Sequence, residues 1–170
     1  MAAHDAAAPA PADGTATAPA GGAPGRVDHG FTHVALSVAD LDASLEFYRR
    51  YADMTPVHRR TSEDGTRVAW ITDHTRPFVV VLLEHAVTHT LGGWSHLGVG
   101  VDSRDEVDRR LAGAAAEGLE VWGPTDAGPP TGYYGVIVDP DGHNLEVAHG
   151  QEVAFTVTGA DGTDGAATSS

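Results

Sequence analysis

Two histidines, His33 and His96, and two glutamates, Glu84 and Glu146, have the types and spacing of metal ligands. Glu146 stands between Leu145 and Val147 in an apolar run that follows a turn. Because side chains alternate along a strand, Glu146 would face away from these two neighbours. A carboxylate on a buried strand is costly in free energy unless a partner compensates its charge. The partner of Glu146 is therefore the key to the function.

The two histidines occupy equivalent positions in an internal duplication. The segment FTHVALSV, which contains His33, aligns with WSHLGVGV, which contains His96. Ala35 and Gly98 follow two positions after each histidine, and such small residues leave room for a ligand beside each imidazole ring. Duplication of this kind predicts two similar modules in one chain.

A second carboxylate, Glu84, lies at the end of another apolar strand. The number of residues between His33 and Glu84 is nearly the same as between His96 and Glu146. Two imidazoles and two carboxylates that converge from paired sheets would form a site for a divalent metal ion. No turn motif fixes the register of the Glu84 strand, and a slip of one residue would turn His85 inward instead.

Hydrophobic periodicity predicts the same order of elements, β-α-β-β-β, in both halves. The strands are predicted at residues 31–38, 55–60, 68–72, 78–85, 94–101 and 119–122, and in a hairpin over 133–149. Asp40 can cap the first helix, and Ser103 with Glu106 forms a capping box for the second. The acids of the hairpin turn Asp139-Pro140-Asp141-Gly142, the adjacent His143 and the pair Arg109-Arg110 are expected to be solvated.

Composition excludes several classes of function. The formal net charge of −14 disfavours binding to nucleic acid or to an anionic membrane surface. All ten basic side chains are arginine and cysteine is absent, so neither a Schiff-base lysine nor a thiolate nucleophile is available. No apolar run is long enough to span a bilayer, and a cytoplasmic location is the default expectation.

The changes in composition along the chain predict one domain between two tails. Residues 1–27 are rich in Ala, Pro and Gly and are expected to be disordered. Residues 28–150 form the domain, with module one at about 28–86 and module two at about 94–150. Residues 151–170 are expected to form a short extension and a flexible C-terminal tail.

The sequence resembles the vicinal oxygen chelate superfamily, which groups glyoxalase I, bleomycin-resistance proteins, fosfomycin-resistance enzymes and extradiol dioxygenases. The resemblance covers about residues 28–150 and rests on FTHVALSVADLDASLEFYRR, WSHLGVGV and DPDGHNLE. It implies an α+β, glyoxalase-like fold, in which two βαβββ modules form a curved mixed sheet around a metal-binding cleft. It also implies a homodimer that can complete or swap the sheets.

By position, the resemblance implies that His33, His96 and Glu146 bind a divalent ion of iron, manganese, nickel, zinc or cobalt. Glu84 would be the fourth ligand in a glyoxalase-like or epimerase-like site. Without Glu84, two histidines and one carboxylate remain, which suits an oxygenase or a resistance enzyme. Glu146 or Glu84 would transfer a proton, and Tyr134 is a candidate catalytic acid.

The resemblance implies an enzyme that chelates vicinal oxygens of a small substrate. The reaction would be of the glyoxalase, isomerase or lyase type, or a single-domain ring-cleaving dioxygenation. The alternative is a bleomycin-resistance-type protein that sequesters a cationic or aromatic drug without chemistry. The acidic charge and the aromatic residues Phe31, Trp70, Trp94 and Trp122 suit that alternative.

Overall fold

A computed structural model describes residues 30–153 of this protein. The predicted N-terminal tail and most of the predicted C-terminal extension lie outside the described residues. Within residues 30–153, no helix is long and apolar enough to cross a membrane.

Each half of the described chain contains the predicted β-α-β-β-β order, so the α+β fold of two βαβββ modules is confirmed. The elements are β1 His33–Val38, α1 Leu41–Ala52, β2 Thr55–Thr61, β3 Arg67–Thr72, β4 Val79–Glu84, β5 Leu97–Gly100, α2 Arg104–Ala116, β6 Val121–Asp126, β7 Tyr133–Val138 and β8 Asn144–His149. His96 therefore lies one residue before β5, in the loop that leads into the strand.

Each module forms one four-stranded sheet, with the order β1-β4-β3-β2 in module one and β5-β8-β7-β6 in module two. The first strand runs parallel to the last strand of its own module, and the other neighbours are antiparallel. In this register Ala35 lies opposite Val81, and Gly98 lies opposite Glu146. Val81 is thus the module-one equivalent of Glu146.

Both helices begin at their predicted caps. The Asp40 carboxylate accepts hydrogen bonds from the first turn of α1, and the Ser103 hydroxyl accepts one from the Glu106 N–H at 3.2 Å. These side chains satisfy N–H groups that have no partner within the helix. The helices cover one face of each sheet, and a shared core of buried aliphatic and aromatic side chains includes Leu36, Leu45, Tyr48, Leu82, Ile137 and Leu145.

The turn between β7 and β8 packs against module one, which corrects the predicted exposure of its first acid. Asp139 is only 4% exposed. Its carboxylate accepts hydrogen bonds from the N–H groups of Asp141 and His143, at 2.9 and 2.7 Å, and from the Tyr48 hydroxyl at 3.1 Å. Burial raises the pKa of Asp139, although these hydrogen bonds oppose the shift.

Two further residues predicted to be solvated are buried at contacts between distant parts of the chain. His143 is 2% exposed, and its ring bridges the Leu91 N–H and the Ser37 carbonyl, each at 3.0 Å. Arg110 on α2 binds the Asp53 carboxylate that follows α1, at 2.5 Å. The sequence pattern carries no signal for these contacts because their partners lie far away along the chain.

Candidate metal centre

The structure brings His96 and Glu146 together on module two. The His96 Nε2 and Glu146 Oε2 atoms are 3.6 Å apart, and Glu146 is only 7% exposed. Gly98 lies opposite Glu146 in the sheet, and a Cβ added at Gly98 would lie 3.9 Å from Glu146 Oε1. The absence of a side chain at Gly98 leaves the sheet face beside the Glu146 carboxylate uncovered.

A hydrogen bond to the backbone selects one tautomer of the neutral His96 ring. Its Nδ1 lies 2.9 Å from the Trp94 carbonyl oxygen. Because a carbonyl only accepts, Nδ1 carries the proton in the neutral ring, and Nε2 presents a lone pair to the Glu146 carboxylate. Metal-binding histidines use this arrangement, in which the second ring nitrogen donates to a carbonyl.

The separation of the two facing atoms suits a cation between them. Two ligands with bonds of about 2.1 Å to one tetrahedral metal ion are about 3.4 Å apart. The observed 3.6 Å is close to that value and too long for a hydrogen bond. The pair His96–Glu146 therefore has the chemistry and spacing of two ligands of a divalent ion.

The pair lies in a cleft of about 600 Å³ on module two. Three aromatic side chains, Trp94, Trp122 and Tyr134, line the cleft, and Asn144 and Gln151 add amide groups. Among the described residues that line this cleft there is no arginine. The cleft therefore offers a flat, uncharged surface beside one carboxylate and one imidazole.

His33 is not brought to the pair within the single chain. It is exposed at the start of β1, and its Nδ1 lies 3.0 Å from the Thr32 hydroxyl. Within residues 30–153, no group of three or more His, Cys, Asp or Glu side chains could hold a metal ion. Module one therefore presents its histidine to solvent, and module two presents a histidine and a carboxylate.

Glu84 lies on the other face of its sheet, which corrects its predicted place beside His33. His33 pairs with Val79 and Val38 pairs with Glu84, so alternation places Glu84 on the helix-facing side with Val38. There Glu84 binds the Arg67 guanidinium, with one contact of 2.6 Å, and accepts a hydrogen bond from the Leu41 N–H at the start of α1.

The ion pair between Glu84 and Arg67 should make the free energy of unfolding depend on pH in the acid range. Hydrogen bonds from Arg67 and then from Leu41 lower the pKa of Glu84 from 4.5 to about 2. The carboxylate therefore stabilises the fold above pH 4.5, and this contribution disappears as the pH falls toward about 2. We expect Glu84→Gln to lower the free energy of unfolding at neutral pH and to reduce its dependence on pH in this window.

Urea unfolding at several pH values measures this effect, and Glu63→Gln is the control because it makes the same change at an exposed position. Equal pH slopes for Glu84→Gln and Glu63→Gln would contradict the ion pair. Loss of metal binding in Glu84→Gln would instead indicate that Glu84 is a metal ligand.

Two residues of the cleft are absent from the predicted site. Asn144 lies two positions before Glu146, so strand alternation alone places it on the same face, and its amide donates to the Gly93 carbonyl at 2.9 Å. Gln151 follows the end of β8 and donates to Glu146 Oε1 at 2.7 Å. No sequence pattern marks Gln151, because a turn after the strand brings it back.

Comparison with known proteins agrees with this fold. Residues 30–147 match the family model described as the Glyoxalase/Bleomycin resistance protein/Dioxygenase superfamily. The chain is 36% identical over 124 residues to an uncharacterized protein of Pseudomonas aeruginosa, PA2024, covering 71% of this chain and 88% of that protein.

Solved structures share the fold at low sequence identity. A mutant of the fosfomycin resistance protein FosX of Listeria monocytogenes, complexed with Mn(II) and 1S,2S-dihydroxypropylphosphonic acid, has a TM-score of 0.62 and 16% identity, covering 77% of this chain and 99% of that chain. TnmS3, an antibiotic binding protein of a Streptomyces species, has a TM-score of 0.52 and 20% identity, covering 71% and 94%. The matched region spans most of both modules, and the chain belongs to the Glyoxalase/Bleomycin resistance protein/Dioxygenase superfamily.

Proposed function

We propose that this protein is a metal-dependent enzyme that acts on two adjacent oxygens of a small aromatic molecule. The observation that carries the proposal is the facing of His96 Nε2 and Glu146 Oε2 at 3.6 Å in an aromatic cleft. The tautomer imposed by the Trp94 carbonyl leaves Nε2 free to bind an ion. Glu146 supplies the negative charge that a divalent ion requires.

His33 of a second copy would complete the ligand set in a homodimer. Each module contributes half of the set, and the half in module one faces solvent. Near the two histidines, Phe31 is 93% exposed and Trp94 is 91% exposed. Large aromatic side chains that are so exposed are typical of surfaces that contact another protein. The symmetric pairing of two copies would then form two equivalent sites.

The ligand set that remains contains two histidines and one carboxylate. Val81 occupies the position equivalent to Glu146, so module one offers no second carboxylate there. A bound ion with open positions would supply Lewis-acid polarisation of substrate oxygens or, if it is iron, oxygen chemistry. Tyr134 lines the same cleft, and its hydroxyl is the group that we assign to proton transfer with the substrate.

The walls of the cleft favour a neutral or cationic aromatic substrate over an anionic phosphonate. Trp94 and Trp122 provide flat apolar surfaces, and the described residues of the walls include no arginine that would pair with a phosphonate. With three ligands and these walls, ring-cleaving oxygenation of an aromatic vicinal diol fits better than a four-ligand glyoxalase reaction.

Metal titration and an oxygen-uptake assay test the proposal. Protein freed of metal by chelation should bind Fe²⁺ or Mn²⁺ with one site per chain. For the activity assay, the iron form is mixed with a catechol under anaerobic conditions, and it should consume oxygen once oxygen is admitted. Metal binding and oxygen consumption should both be lost in His96→Ala, while Glu63→Gln should retain them. A wild-type protein that binds neither ion would contradict the proposal.

A sequestering function is the second candidate, because aromatic rings beside one carboxylate also suit a cationic planar drug. The antibiotic binding protein TnmS3 shares the fold. Quenching of tryptophan fluorescence by an aromatic drug that is unchanged in His96→Ala, in the absence of any bound metal, would favour this function.

A further inference from the structure

The chain turns back over the cleft immediately after β8. Gly150 has a φ of 77°, a left-handed conformation that favours glycine, and it reverses the backbone so that Gln151 lies beside Glu146. The next residue, Glu152, donates its N–H to the Pro130 carbonyl at 2.9 Å. The turn therefore lies against the loop between β6 and β7.

Close packing of the backbones fixes this turn. Gly132 has a φ of 84°, and a Cβ at this position would collide with the His149 carbonyl oxygen. The loop and the turn approach each other at a distance that only glycine permits. Gln151 is thus held by a tight backbone contact, although its side chain is exposed at the mouth of the cleft.

The Gln151 amide engages one oxygen of Glu146 and leaves the other toward His96. Its Nε2 donates to Glu146 Oε1 at 2.7 Å, while Oε2 faces His96 Nε2 at 3.6 Å. A carboxylate can bind an ion through one oxygen or through both. A strong donor on Oε1 favours binding through Oε2 alone and fixes the direction in which Oε2 points.

We infer that Gln151 is the positioning residue of this site and holds Glu146 so that Oε2 alone is presented to the ion. The inference rests on the proposed metal site and adds a residue outside the ligand set. An ion held through a single Glu146 oxygen keeps one more position open, and that position is available to a substrate oxygen.

Gln151→Met tests this role, because methionine has a similar length and shape but no N–H to donate. We expect the dissociation constant for Co²⁺, measured by calorimetry on the full chain, to rise by about tenfold. We also expect the visible spectrum of the bound Co²⁺ to weaken, because the freed Oε1 would bind and raise the coordination number. A purely structural role for Gln151 would leave this spectrum unchanged.

Val153→Ala is the matched control, since it changes an exposed side chain two residues away in the same segment. It should retain both the wild-type dissociation constant and the wild-type spectrum. If wild type binds Co²⁺ through His96 and Gln151→Met has the same affinity and spectrum, the positioning role is refuted and the metal site stands. If wild type binds no Co²⁺, the metal site and the positioning role are both refuted.

Discussion

Mixing His33→Ala chains with Glu146→Ala chains is expected to restore metal binding that neither variant has alone. In the proposed homodimer, each variant lacks one ligand of both sites. In a mixed dimer, one of the two sites receives His33 from one chain and both His96 and Glu146 from the other, so it is intact. Random pairing of equal amounts should therefore restore about one quarter of the wild-type sites.

The two variants are unfolded together, refolded and titrated with Mn²⁺, and the restored stoichiometry is compared with that of wild type. His96→Ala mixed with Glu146→Ala is the matched control. Both substitutions fall in the same half of the site, so no mixed dimer contains an intact set and no binding should return. Restoration to the same extent in both mixtures, or wild-type affinity of His33→Ala alone, would refute a site shared between chains.

Replacement of Asp139 by alanine is expected to destabilise the fold strongly. The carboxylate is buried and accepts three hydrogen bonds, from the N–H groups of Asp141 and His143 and from the Tyr48 hydroxyl. Alanine would leave the His143 N–H and the Tyr48 hydroxyl buried without a partner. The free energy of unfolding should fall by about 2–4 kcal/mol.

Asp141→Asn, in the same turn, is the control. Asp141 is only half-buried, and its Oδ1 accepts from the Ala39 N–H while its Oδ2 accepts from the Ser44 hydroxyl. The amide oxygen of asparagine can keep the first hydrogen bond, and its NH2 group can donate to the Ser44 hydroxyl in place of the second. Its effect should be less than about 1 kcal/mol. Denaturant unfolding of both variants measures the difference, and equal losses would mean that the Asp139 network does not anchor the turn.

Local sequence patterns are sufficient to predict the repeated architecture. The alignment of FTHVALSV with WSHLGVGV, the caps Asp40 and Ser103, and the turn before Leu145 each specify an element without reference to distant parts of the chain. The alternation around Glu146 also predicts a partner for its carboxylate, and there Gln151 donates to Oε1 at 2.7 Å while His96 Nε2 lies 3.6 Å from Oε2.

Which polar groups meet depends instead on tertiary packing. Glu84 and Glu146 follow their histidines by nearly the same number of residues. A difference of one residue, however, places a side chain on the opposite face of the sheet, and the pairing of β1 with β4 decides which face Glu84 takes. Asp139 and His143 are buried because the turn contacts α1 and β1, which lie about a hundred residues earlier. Gln151 reaches Glu146 because a left-handed glycine reverses the chain. Contacts of this kind depend on how separate elements pack together, and local periodicity does not encode that packing.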